Sequence, residues 1–100
     1  MGYGLEEALL ILSRNIGESI LIGDLCVTVT GVFGKKVQLG IVNQKEKSGF
    51  SILEGKLEAV ITIPENVNIK IIQIRGKQVR LGIKAPPGIL VLRDKLADTK

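Results

Sequence analysis

The segment Gly34-Lys35-Lys36-Val37-Gln38-Leu39-Gly40-Ile41 returns 42 residues later as Gly76-Lys77-Gln78-Val79-Arg80-Leu81-Gly82-Ile83, with six of the eight positions identical. In a chain of 100 residues this means two related units, each too short to enclose a stable core without disulfides, metal or association. The natural partner of one unit is the other. The expected product is one body with approximate twofold symmetry, in which any site built between the units exists in two versions that need not agree.

Composition narrows the chemistry. Cys26 is the single cysteine and histidine is absent, which excludes disulfide frameworks, Cys/His zinc sites, redox CxxC motifs and triads with a histidine base. Scattered Asp and Glu residues show no paired constellation, so no enzyme, no metal and no cofactor is expected. Flanked by Leu25 and Val27, Cys26 reads as a small core hydrophobe. Fourteen Lys and Arg against ten Asp and Glu give a net charge of +4, which favours an anionic partner without naming it. The apolar run Ala8 to Leu12 is far short of the roughly 20 residues of a membrane helix, and no basic stretch precedes it. A cytoplasmic protein without membrane contact is expected.

Strand signals dominate the chain. Leu9-Leu10-Ile11-Leu12 and Ser19-Ile20-Leu21-Ile22 are short apolar runs, and Val27-Thr28-Val29-Thr30 alternates as a half-buried strand does. Phe33-Gly34-Lys35-Lys36 supplies a hairpin in which Gly34 can take the positive φ of a type II′ turn, and Val37 to Ile41 runs back. The second unit repeats the plan with Ala59 to Ile63, a turn at Pro64-Glu65-Asn66, Val67 to Ile74, Gly76 and Val79 to Ile83. Ala85-Pro86-Pro87-Gly88 breaks the chain before a last strand, Ile89 to Arg93, and Asp94 to Lys100 has room for one helical turn. The fold class is therefore all-β, a compact pseudo-twofold sandwich or barrel. Residues 1–8 read as an extension, 9–96 as one domain of two repeats (9–49 and 50–96), and 97–100 as a tail. Between the repeats, Phe50 to Leu57 is one strand-like segment where a complete duplication needs two.

Leu10-Ile11-Leu12-Ser13-Arg14, Gly17-Glu18-Ser19-Ile20-Leu21-Ile22-Gly23-Asp24, Val27-Thr28-Val29, Gly34, Val37 to Ile41, Ala85-Pro86 and Val91-Leu92-Arg93 occur in the order in which the carbon storage regulator family (CsrA/RsmA) carries similar motifs. The chain resembles that family over residues 9–96, as a duplicated, single-chain version of its interleaved homodimer. The resemblance implies a post-transcriptional regulator that binds GGA-containing hairpin loops in messenger RNA leaders and represses translation. It further implies regulatory small RNA and a protein antagonist as partners.

In that family each RNA site joins the first strand of one protomer to the last strand of the other. Carried over, the resemblance implies an RNA site made of Leu12, Ser13, Arg14 and Asn15 with Val91, Leu92 and Arg93, and with Lys84, Ala85, Pro86 and Gly88 in the adjoining loop. Where the family has two consecutive basic residues this chain has Arg14-Asn15, which weakens phosphate contact. At the opposite junction Glu54 is expected to replace a recognition arginine, so that one RNA site per chain survives. The alternative is a diverged pseudo-dimer that binds a protein antagonist and no RNA. Tyr3, Phe33 and Phe50 are the only aromatics, so the stacking platforms of other single-strand binders are absent. Covalent linkage predicts a monomer that acts as a pseudo-dimer.

Overall fold

The computed structural model describes residues 8–46 and 49–93, so the expected extension before residue 8 and the expected helical turn after Arg93 lie outside the described residues. The strands are β1 (Ala8–Asn15), β2 (Ser19–Ile22), β3 (Leu25–Phe33), β4 (Lys36–Asn43), β5 (Phe50–Lys56), β6 (Val60–Ile63), β7 (Val67–Arg75), β8 (Gln78–Ala85) and β9 (Val91–Arg93). They form two antiparallel sheets, one ordered β1-β8-β7-β6 and the other β5-β4-β3-β2-β9. The all-β expectation holds, with no helix among the described residues.

The repeated Gly-Lys pairs close the hairpins β3–β4 and β7–β8. Gly34 has φ 64° and Gly76 has φ 62°, while Lys35 and Lys77 stay out of the left-handed region, as a type II′ turn requires. Each copy also carries the same bulge, at Thr30 between Val29 and Gly31 and at Ile72 between Ile71 and Gln73. Period-2 alternation then sends Ile20, Ile22, Val27, Val29, Val37 and Leu39 inward from one sheet, against Ile61, Ile63, Ile69, Ile71, Val79 and Leu81 from the other. These side chains form one aliphatic core, each contributing about 1.5–3 kcal/mol on burial. Neither unit encloses a core of its own.

The two units are interleaved. β1 of the first pairs with β8 of the second, and β9 of the second pairs with β2 of the first. Backbone bonds repeat the relation: Ile16 N–H donates to Lys77 O (3.1 Å) as Leu57 N–H donates to Lys35 O (2.8 Å). Likewise Gly17 N–H reaches Val29 O (2.8 Å) as Glu58 N–H reaches Ile71 O (2.7 Å). The single strand between the copies, β5, pairs with β4, so it is the first strand of the second unit. Among the described residues, the strand without a counterpart is β9, the last one of the second unit. Among the described residues, β6 therefore has no neighbour on its outer side, whereas its counterpart β2 is covered by β9.

Alternation corrects one expectation. Leu25 and Val27 are buried, which turns Cys26 between them to the opposite face of β3, where it is half-buried beside Leu21 and Val42 rather than in the core.

Candidate nucleic-acid interface

β1 and β9 are edge strands of different sheets, and both lead to β2. Asn15 enters the short turn to Ser19, closed by Glu18 N–H donating to Asn15 O and Asn15 N–H donating to Glu18 Oε1, each 2.9 Å. β9 is hydrogen-bonded to β2 with Val91 opposite Ile22, Leu92 opposite Leu21 and Arg93 opposite Ile20. On β1, Leu12 packs partly buried against the core, Ser13 is half-buried and Asn15 is exposed.

Arg14 follows Leu12 by two residues and so points inward with it. Its side chain is only 8% exposed. Nε–H donates to the Ser13 carbonyl (2.7 Å), while the buried Nη1 has no hydrogen-bond partner among the described residues. A guanidinium nitrogen held out of water with no acceptor is costly, and such an orphan calls for an explanation. The sequence-based reading assigns Arg14 to the RNA site without placing its side chain. The alternation from Leu12 was the signal that it turns inward.

The other expected site residues do not gather at Arg14. Ala85 is fully buried and ends β8 opposite Ala8, Pro86 is half-buried, and Gly88 is exposed with φ 93° in the turn that Ile89 N–H closes on Pro86 O (3.3 Å). Lys84 is exposed on the outer face of β8, opposite Leu9. In the β1–β8 register Lys84 lies five residues from Val79, the partner of Arg14, which is roughly 17 Å along the strand. The set is thus a strip along β1, with the arginine end at Asn15 and the proline-glycine loop at Ala8.

At the opposite junction the register overturns the assignment of Glu54. Arg14 stands opposite Val79, and the counterpart of Val79 is Val37, whose partner is Gly55. Gly55 therefore occupies the Arg14 position, Glu54 that of Ser13 and Lys56 that of Asn15. The slip comes from the β6–β7 turn, Pro64-Glu65-Asn66, which has one residue more than Gly23-Asp24, so the copies are offset by 42 residues after it and 41 before it. Glu58 then matches Gly17 rather than Glu18, and both have positive φ, 72° and 96°. Glu54 itself lies on the outer face, ion-paired to Lys36 (3.5 Å) and accepting from Gln38 Nε2 (3.3 Å).

Gly55 leaves no space for a side chain. A Cβ there would come within 2.7 Å of Ile61 Cδ1 and 2.9 Å of Ile61 Cγ1. Pro64 takes the place of Gly23, whose N–H donates to Leu90 O (2.8 Å) in the segment entering β9. Having no N–H, Pro64 cannot make that bond, so the open edge of β6 has lost an anchor for a fifth strand. Among the described residues no cluster of three or more His, Cys, Asp or Glu is placed to hold a metal, and no helix is long and apolar enough to cross a membrane.

Comparison with known proteins agrees with the duplication. The model of the CsrA global regulator protein family matches residues 9–48 and 52–100, and the chain belongs to that family. It is similar to the translational regulator CsrA of Geobacter sulfurreducens, 38% identical over 45 residues, which is 45% of this chain and 57% of that protein. It is also similar to the translational regulator CsrA of Helicobacter pylori, 43% identical over 47 residues, 47% of this chain and 62% of that protein. Each alignment thus spans less than two thirds of the relative and about one unit of this chain. No solved structure matches the chain.

Proposed function

We propose that this chain is a cytoplasmic post-transcriptional regulator that binds a GGA-containing hairpin loop, in messenger RNA leaders or in regulatory small RNA, through one site per chain at the β1/β9 junction, and that it represses translation by doing so. The observation that carries this reading is the orphaned Nη1 of Arg14, a residue only 8% exposed, at the one junction that has both a first and a last strand among the described residues. An RNA oxygen supplies the acceptor it lacks, and a charge-assisted bond formed out of water is among the stronger polar contacts available. Arg93, at the end of β9 opposite Ile20, adds a second cation. Backbone groups along the free side of β1 are available to base edges. At the other junction Gly55 replaces the arginine and no last strand is present among the described residues, which supports a single site.

Titration of the purified chain with a GGA hairpin, followed by calorimetry, is the test: one hairpin per chain is expected, and two equal sites or no binding overturn the reading. A second reading, a module for a protein antagonist, is favoured by Phe50 and Ile52, exposed at 62% and 50% on the outer face of β5. It predicts no hairpin shift at micromolar protein.

A further inference from the structure

The two sheets present outer faces of opposite character. Matching partners in the registers Thr28↔Gly40, Gly31↔Gln38 and Cys26↔Val42 are Lys70↔Gly82, Gln73↔Arg80 and Asn68↔Lys84. Three neutral positions of the first copy, Thr28, Gln38 and Val42, have thus become Lys70, Arg80 and Lys84 in the second. All three cations are exposed, and they fall on neighbouring rows of one sheet face. That face adjoins β1 directly, since Arg80 stands opposite Ser13, Gly82 opposite Ile11 and Lys84 opposite Leu9.

The same face is concave. A groove of about 510 Å³ runs over Gly82, walled by Ile11, Val60 and Ile72 and rimmed by Lys70 and Lys84, with Asn68 and the carboxylate of Glu58 also in its lining. In the other sheet the corresponding glycine, Gly40, is covered by the Phe50 ring and Thr30 Cγ2, 3.2 and 3.0 Å from where its Cβ would be, whereas Gly82 is approached only by Ile72, whose Cδ1 lies 2.9 Å from such a Cβ. The groove volume is ample for one nucleotide. Aliphatic walls suit a base, an amide can pair with its edge, and cations at the rim suit its phosphates.

We propose that the outer face of the β1-β8-β7-β6 sheet is a second element of the RNA interface: it carries the unpaired nucleotides that flank the hairpin, with Lys70, Arg80 and Lys84 on successive phosphates and one base in the groove over Gly82. The proposal rests on the hairpin reading of the β1/β9 junction and adds to it a binding track on one sheet only. The first copy's face, neutral at these three positions and with Lys36 paired to Glu54, takes no part. Charge complementarity and continuity with β1 select RNA as the occupant.

The test is a graft of the first copy's own residues, Lys70→Thr, Arg80→Gln and Lys84→Val, chosen because the same fold already holds them at the matching positions. Wild type and variant are titrated over a salt series with a minimal GGA hairpin and with that hairpin extended by single-stranded flanks. Wild type is expected to prefer the flanked RNA. The graft is expected to lose that preference, on the order of tenfold at low salt, with the log-log salt slope reduced by about 2 for three phosphates at roughly 0.7 each. The double graft Lys70→Thr and Arg80→Gln, which spares Lys84 of the expected hairpin site, leaves the affinity for the minimal hairpin unchanged and still lowers the flanked-RNA slope by about 1.4. If the triple variant melts early, Lys70→Thr alone is expected to reduce the flanked-RNA slope by about 0.7. Equal wild-type affinity and slope for the two RNAs overturns the track and leaves the hairpin site standing, whereas no binding of either overturns both. Displacement of the flanked RNA's extra affinity by a short Asp/Glu-rich peptide, with no effect of unstructured RNA, assigns the face to a protein and overturns the track.

Discussion

Gly55 stands opposite Val37 as Arg14 stands opposite Val79, so the duplicated fold carries at one position a buried arginine and at its twin no side chain at all. The vacated volume is filled: Ile61 Cδ1 lies 2.7 Å from where a Cβ of Gly55 would be. The second junction has been rebuilt as core. Gly55→Ala is expected to destabilise the protein by about 1–3 kcal/mol, because Ile61 is buried and must leave its rotamer. In an Ile61→Ala background, which removes both Cγ1 and Cδ1, the same substitution is expected to cost less than about 0.5 kcal/mol or to stabilise. Urea denaturation of the four proteins in the cycle measures the coupling, and equal costs in both backgrounds would falsify the packing account.

Arg14 separates binding from stability. A buried guanidinium with an orphaned nitrogen contributes little to the folded state, so Arg14→Met, which keeps the aliphatic volume, is expected to change stability by less than about 1 kcal/mol or to raise it. Hairpin affinity is expected to fall at least tenfold, the loss of about 1.4 kcal/mol or more that a charge-assisted hydrogen bond represents. Gel shift and thermal melting on the same preparation give both values. A variant that binds normally removes Arg14 from the site.

Glu58 and Gly17 are twins with positive φ, 72° and 96°, yet only one of them is glycine. The left-handed conformation costs a residue with a Cβ roughly 1–2 kcal/mol, partly offset by the greater freedom of glycine in the unfolded chain. Glu58→Gly is therefore expected to stabilise by roughly 0.5–1 kcal/mol, and Gly17→Ala to destabilise by a similar amount. Nothing lies within 4 Å of a Cβ at Gly17, so the second change reads backbone strain without a clash. Chemical denaturation tests the signs.

These pairs also mark what the sequence could carry. Local alternation and the Gly34 and Gly76 turns define the strands of each hairpin, because the physics that selects them acts over a few residues. Which copy owns β5 is decided by its pairing with β4 and by the covering of β2 by β9, contacts that no local pattern encodes. The site register failed for a smaller reason. One extra residue in Pro64-Glu65-Asn66 moves every position before it by one, and a one-residue slip in a strand exchanges inside for outside. Glu54 thus moved to the outer face and Gly55 to the inner one. Cys26 went the same way, judged by its apolar neighbours when alternation sets it on the opposite face from them.

Interleaving within one chain changes how assembly depends on concentration. β1 pairs with β8 and β9 with β2, so the contacts that join the two units are intramolecular. The melting temperature is expected to be constant, within about 1 °C, over a hundredfold range of protein concentration, as mass action requires of a monomeric folding unit. Pro64 supports this by blunting the open β6 edge, where a long unprotected strand would invite pairing between chains. Pro64→Gly restores the missing N–H. It is expected to lower the concentration at which sedimentation velocity detects dimer, and a variant as monomeric as wild type shows that β6, only four residues long, is too short to pair by itself.

The proposed single site also removes avidity. With two sites, a protein can engage two hairpins of one RNA, the second binding event being intramolecular and worth up to 10²–10⁴ in apparent affinity. Among the described residues only one junction has both a first and a last strand, β1 and β9. An RNA carrying two GGA hairpins joined by a flexible linker is therefore expected to bind with only the twofold statistical advantage over a single hairpin, and to take up two chains at saturation. Native mass spectrometry counts the chains, and a titration compares the midpoints. A gain of more than about tenfold, with one chain per RNA, would mean that the Gly55 junction binds RNA after all.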